Sequence, residues 1–396
     1  KVKGGRFYTS SSSLIGSQRY GTAGATESKG LVVIGATLAD SSGSAISCNS
    51  SDSVIEGNYI FDAEIGIILG HRSSYERRSP ADRTVCRGNV ITRMNKSGVQ
   101  HQNGWDCVID GNTLKDCTEG ATTGSGDGCI TGPTWNGGGI VTNNICDGGA
   151  NGIRYVGYSN DVNETKEPDL IISGNTIQNI VTYGVRIDNF VGNVDISSNR
   201  IRRNNPDLIS TRGDITVIYD FNTVSTNGMI AIKNNILGDN KTDAVQGKIG
   251  VRVDMNNLVG RTPQTIEISG NTINNYQTPT IVGPGDDDDI LNINNIIDNK
   301  LRGQLRRNST GVTADFDIGF SVFSRLEAAA PVNVNNINHN HDVGTIITLQ
   351  GQGANVTLID SVGNMNLSGN FALTTNETIS MIWTGGTWLE LSRSIN

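Results

Sequence analysis

A short template, Ile-x-x-Asn-x-Ile/Leu, recurs nine times along this 396-residue chain, and it limits the possible folds more than any other feature. It reads Ile55–Asn58–Ile60, Cys86–Asn89–Ile91, Ile109–Asn112–Leu114, Ile140–Asn143–Ile145 and Ile172–Asn175–Ile177. It continues as Ile196–Asn199–Ile201, Ile232–Asn235–Leu237, Ile268–Asn271–Ile273 and Ile296–Asn299–Leu301. Successive asparagines are 31, 23, 31, 32, 24, 36, 36 and 28 residues apart, which describes one constant coil with insertions of variable length. Paired helices do not absorb such irregular insertions, whereas stacked strands do. Glycine often precedes the asparagine (Gly57, Gly88, Gly111, Gly174, Gly270), and both residues accept the left-handed backbone of a sharp bend.

A second template follows about nine residues later, at Gly66-Ile67, Gly98-Val99, Gly152-Ile153 and Gly184-Val185, with later copies at Gly128-Cys129 and Gly250-Val251. Strand, asparagine bend, strand, glycine bend, strand is the grammar of a right-handed parallel β-helix, in which stacked coils share one interior. A sandwich of Asn-Gly hairpins fits less well, because Gly-Asn lies in fixed phase between strand residues rather than in two-residue loops. The asparagines read as an internal hydrogen-bonded ladder. Cys86 and Cys129 stand where other coils carry Ile or Val, so they read as buried, inert thiols.

From about Gln304 the template stops. Alternating stretches at 345–349 and 383–391, the second around Gly385-Gly386, predict antiparallel hairpins. The domain reading is therefore 1–303 as a β-helix and 304–396 as a small β-rich module whose edges pair with copies of itself.

Composition narrows the function. The net charge of −8 and the absence of a Lys/Arg stripe argue against a nucleic-acid binder. An acidic surface also repels an anionic polymer at long range, so any such substrate needs local arginines. No run of 18 apolar residues is present, which excludes a membrane-spanning helix. The six cysteines form no C-x-x-C pair and the four histidines are scattered, so neither a zinc site nor a cofactor is expected. No Gly-x-Ser-x-Gly signature is present, which argues against an acyl esterase. The chain opens at Lys1 without a signal peptide and reads as a piece of a longer protein.

A β-helix of Gly/Asn-rich rungs, followed by a module ending in Gly-Thr-Trp-Leu-Glu-Leu-Ser-Arg-Ser (386–394), resembles bacteriophage tailspike depolymerases, whose helix is of the pectate-lyase type. The rung alone is shared with pectin lyases, epimerases and adhesins. The resemblance implies a homotrimer on the phage tail that acts outside the host cell surface. Its substrate would be a bacterial capsule or O-antigen polysaccharide, cleaved by hydrolysis or β-elimination. A virion-attachment domain would join it to the tail or baseplate through its N-terminus. The family has no universal catalytic motif, so the resemblance assigns no residue.

Candidate residues come from strand alternation. Taking Val185 and Ile187 as inward puts Arg186 and Asp188 outward, and 250–254 repeats the arrangement with Arg252 and Asp254. Asp220 and Arg154 extend the file, giving a column of carboxylates flanked by arginines. Asp188 and Asp220 on adjacent coils would lie about 5 Å apart, as in retaining glycosidases. Asp188 and Asp254, two coils apart, would lie about 9.6 Å apart, at the edge of the inverting range. An Asp/Arg ladder that only neutralises itself is the plain alternative. Long insertions supply a second candidate cluster: His71, Arg72, Tyr75 and Glu76, then Tyr158 and Glu164, with His101, Trp105 and Asp106 on the rung between them and Trp135 as a stacking platform. A lyase would draw on His71, Arg72 and Tyr75. The run Asp286–Asp289 reads as a solvated turn.

Overall fold

The computed structural model describes residues 1–17, 30–73, 76–79, 81–102, 104–117, 127–135, 138–157, 169–190, 192–202, 213–218, 229–238, 247–254, 266–274, 276–282, 290–293, 295–297, 300–302, 315–317, 323–326, 328, 330–339, 343–351, 353 and 355–394. The chain divides into two compact units. The first, residues 1–266 with 271–285, is a parallel β-helix, and the second holds residues 267–270 and 286–396.

Three faces build each coil. On the first face, Val32–Ile34, Val54–Glu56, Val85–Arg87, Cys107–Asp110, Gly139–Thr142, Asp169–Ser173, Asn193–Ser197 and Ile230–Lys233 pair in parallel, in chain order. A two-residue turn then leads to the second face and a further bend to the third. In several coils one long strand, such as Thr37–Cys48, Ile145–Gly157 or Thr176–Asp188, runs through both.

Alternation places one apolar file inside each face. Val33, Ile55, Cys86, Ile109, Val141, Ile172, Ile196 and Ile232 stack beneath the first. Leu38, Ile60, Ile91, Leu114, Cys146, Ile177, Ile201 and Leu237 stack beneath the second. Ile46, Ile67, Val99, Ile130, Ile153, Val185, Ile215 and Val251 stack beneath the third. All are buried, which removes from water the β-branched surface that no single coil could cover.

The asparagine ladder is present. Asn58, Asn89, Asn112, Asn144, Asn175, Asn199, Asn235 and Asn271 are buried, and each Oδ1 from Asn89 onward accepts both the backbone N–H and the side-chain amide of the preceding member at 2.9–3.0 Å. Each Nδ2 also donates to a backbone carbonyl, so the amides satisfy one another without water. The residue before every ladder asparagine is left-handed: five glycines, plus Asn143 (φ 56°), Ser198 (φ 58°) and Asn234 (φ 55°).

This corrects one coil. The ladder member there is Asn144, between Val141 and Cys146, rather than Asn143 between Ile140 and Ile145; Ile140 and Ile145 are exposed. Asn143 instead does the work of glycine at the bend. Asn299 lies outside the described residues.

The glycines of the second template serve a different purpose. A Cβ on Gly66, Gly98 or Gly152 would meet a carbonyl oxygen of the next coil at 2.5, 2.8 or 2.4 Å, and none has positive φ. They are small because coils approach closely there. Register also shifts one copy: Ile130, not Cys129, stacks on Val99. Cys129 is buried nonetheless, like Cys86; burial raises the Cys86 thiol, and the Cys129 thiol, lowered by its hydrogen bond with Cys117 but raised by that with Cys146 and by burial, also lies well above its ordinary range. Cys107, close by, is pushed up to about 12.

The coil carrying Asn58 is sewn to the next by four ion pairs spread around its perimeter: Asp52–Arg83, Glu56–Arg87, Asp62–Arg93 and Glu64–Lys96. Being exposed, each adds at most about 1 kcal/mol.

The second unit is a mixed sheet module. Ile346–Gly351 pairs antiparallel with Thr378–Trp383, which forms a hairpin with Trp388–Ser394 across residues 384–387. Phe323–Leu326 and Met365–Asn366 add parallel edges to the antiparallel hairpins read from the sequence. Its own core contains Leu326, Ile347, Leu349, Leu358, Leu373, Met381 and Trp388. The buried Trp388 donates its indole N–H to the Ile337 carbonyl.

Candidate functional site

The turn between the first and second faces is two residues long in every described coil from Val54–Glu56 to Ile230–Lys233, since a longer one would break the ladder. All variation in coil length therefore falls at the two corners that border the third face. Segments 118–126, 203–212 and 239–246 lie, in sequence, at one corner; 158–168, 219–228 and 255–265 lie at the other. Insertions on a rigid scaffold are where binding groups concentrate.

Outward positions of the third face follow this. In register they run Ser47, Ile68, Gln100, Thr131, Arg154, Arg186, Thr216, Arg252. Although they point away from the apolar interior, Gln100, Thr131 and Thr216 are only 8%, 1% and 0% exposed. The file is thus polar apart from Ile68, and these three members are covered by other parts of the chain. Arg154 and Arg186 stand on adjacent coils, with Thr216 separating them from Arg252, as the sequence reading of an arginine file required.

Asp188 departs from that reading. It was expected outward in a column of carboxylates, but its side chain is buried and its oxygens are occupied by guanidinium donors. Arg186 Nε donates to both oxygens at 2.8 and 2.9 Å, and an Arg154 terminal nitrogen reaches Oδ2 at 3.3 Å. The Arg186 guanidinium lies 4.6 Å over the Tyr183 ring, which fixes its plane. The position beside Asp188 on the next coil is held by Ile218, and Asp188 itself is shared between two arginines. Asp220 lies outside the described residues. Asp254 does occupy the Asp188 file two coils on, through Ile218.

The second cluster divides. His101 is 1% exposed and faces the interior, where its ring nitrogens meet the Tyr155 hydroxyl at 3.4 Å and the Gly104 carbonyl at 3.2 Å. Desolvation lowers its pKa to about 4, so it stays neutral at ordinary pH. It is a core histidine and not a sugar ligand. Gly132 leaves the space that the Tyr155 ring fills. Trp105 is likewise buried, its backbone N–H held by Asp82 at 2.7 Å, so it offers no open platform.

Asp106 is exposed at the corner leading from the third face to the first, with φ 57° and its N–H donating to the Gly138 carbonyl. His71, Arg72 and Glu76 belong to a small antiparallel hairpin at that same corner, His71–Ser73 with Glu76–Ser79. Trp135 ends the Gly128–Trp135 strand, opposite Gly157 after a register shift. Tyr75, Tyr158, Glu164 and Asp286–Asp289 lie outside the described residues.

Gln100, Thr131, Tyr183 and Thr216 were missed by sequence reasoning. The signal that finds the first, second and fourth is their phase: each follows an inward Val or Ile of the third file by one residue. Among the described residues, no group of three His, Cys, Asp or Glu is placed to hold a metal ion.

No protein-family model and no curated protein sequence matches this chain. Among solved structures, the catalytic unit of a thermostable GH87 α-1,3-glucanase from Streptomyces thermodiastaticus strain HF3-3 is similar at a TM-score of 0.42 with 12% identity. The match covers 78% of this chain and 57% of that one, so this chain spans little more than half of the glucanase unit.

Proposed function

We propose that this chain is a polysaccharide depolymerase of the phage-tailspike type, binding a bacterial surface glycan along the third face of its β-helix and cleaving it there. The observation that carries this reading is the third face itself: its outward side chains are mostly polar, three of them are arginines in one register, and every variable corner borders it. A sugar chain laid along the stack would meet one coil about every 4.8 Å. Carboxylates for hydrolysis would come from the corner, namely Asp106, Glu76, Glu164 and Asp220, and from Asp254. Asp188 positions the arginines rather than attacking substrate. Homotrimer formation, attachment to a phage tail and action at the host cell surface belong to the same proposal.

Product analysis on purified capsules and O-antigens tests it. Hydrolysis gives new saturated reducing ends and shorter polymer; unchanged polymer length across the panel overturns depolymerisation in favour of a receptor-binding fibre. Single Asp→Asn or Glu→Gln changes at the five carboxylates should each leave the fold intact, and at least one should abolish cleavage. The pair Arg154–Arg186 favours β-elimination as a second reading, because adjacent guanidiniums can neutralise a uronate carboxylate. The ultraviolet absorbance of an unsaturated product identifies that outcome.

A further inference from the structure

We infer that the Arg154–Arg186–Arg252 file is a subsite for the carboxylate groups of an acidic polysaccharide, so that the glycan recognised is uronate-bearing rather than neutral. The inference rests on the third face being the glycan site and adds the chemical class of the ligand.

Charge is the first ground. The chain carries a net −8, which repels polyanions at long range, yet three arginines share one outward file. Among the described residues Asp188 is the one acid bonded to Arg154 and Arg186, so within them this pair keeps a surplus positive charge after internal pairing.

Unspent donors are the second ground. Arg154 gives Asp188 a single long bond from a terminal nitrogen, while its Nε is buried and donates to nothing among the described residues. A buried guanidinium donor without an acceptor costs free energy until a ligand oxygen supplies one. A carboxylate matches the guanidinium fork in shape and charge, whereas a neutral hydroxyl does not neutralise it.

Pre-organisation is the third. Tyr183 fixes the Arg186 plane from one side and Asp188 from another, so little side-chain freedom remains to be lost on binding. Arg186 and Arg252 stand two coils apart, about 9.6 Å along the axis, with Thr216 between them. That separation suits charges recurring every second sugar of an extended chain. A neutral glycan would cover the arginines without pairing them, which selects against it.

The test uses the whole chain and a panel of purified capsular polysaccharides, some uronate-containing and some neutral, each also prepared with its carboxyls chemically reduced to alcohols. Binding is read by affinity electrophoresis. Polymers that bind should be uronate-containing, and carboxyl reduction should weaken binding by about tenfold or more. Arg186→Gln and Arg252→Gln should each remove most of the difference between native and reduced polymer. That difference is taken within each variant, so partial unfolding lowers both terms alike. Binding confined to neutral polymers, equal binding of native and reduced forms, a preserved difference in both variants, or no binding at all overturns the inference. Binding of acidic polymer without shortening keeps it and removes the depolymerase reading; shortening of a neutral polymer does the reverse.

Discussion

The second and third faces of the helix share an interior and differ outside. Beneath both runs an unbroken apolar file, yet the outward residues of the second face include Tyr59, Val90, Ile145 and Ile236, each more than 40% exposed. On the third face the outward residues are polar apart from Ile68, and Ser47, Gln100, Thr131 and Thr216 among them are buried. The difference traces to the corners. The second face is entered through the two-residue asparagine turn, whose ladder tolerates no insertion, while both corners of the third face accept extra chain. A scaffold of this type can elaborate a binding surface only where its hydrogen-bond ladder does not pass.

Three experiments break or sharpen this contrast. The largest effect is expected at the ladder. Asn112→Ala removes the acceptor of two Asn89 donors and the donor to the Cys86 carbonyl, all buried, and should cost about 4 kcal/mol of stability in chemical unfolding. A cost below about 1 kcal/mol would mean that the asparagine turn could lengthen freely and that the contrast between corners has another origin.

Next is the acid response of the core beneath the third face. The folded pKa of His101 lies near 4 against about 6.5 when unfolded. Between these values the unfolded chain binds the extra proton, so stability is full above pH about 6.5 and falls as pH drops toward 4, by about 3 kcal/mol at most. Below pH 4 both states are protonated and this contribution stops changing. His101→Phe should flatten the slope over that window in pH-dependent melting; an unchanged slope would place the histidine in water rather than in the core.

The smallest pair contrasts crowding with exposure. Gly152→Ala puts a methyl group 2.4 Å from the Gly184 carbonyl oxygen and 2.5 Å from Ile177 Cγ2. The resulting strain should cost about 2 kcal/mol. Val90→Thr on the outside of the second face should change stability by less than about 0.5 kcal/mol. Equal melting shifts for the two variants would erase the distinction between a tight corner and an open face.

The sequence was read correctly where its period is local. Asn58, Asn89, Asn112, Asn175, Asn199, Asn235 and Asn271 were found from their flanking Ile and Leu, and the 383–391 hairpin from its Gly-Gly turn. Reading failed at Asn143 because two asparagines stand in tandem and Ile occurs at both possible phases; only the requirement for a left-handed residue ahead of the ladder separates them. It failed at His101 although alternation from the inward Val99 already turns His101 inward, and at Trp105 because that residue stands in the bend before Cys107–Asp110, where no alternation marks which way a side chain faces. Asp188 was placed in the right file, but its partners belong to its own strand and to a coil 34 residues back, a relation that no local pattern encodes.

What the sequence by itself determined is the stack: alternation of apolar residues and a bend residue every coil leave few other ways to bury the Ile, Val and Leu files and satisfy the asparagines. What only the tertiary structure decided is which outward side chains are covered and which meet solvent. That depends on how far each coil is offset from the next and on where inserted chain leaves the stack, and both are set by contacts between residues that the sequence keeps 22 or more positions apart.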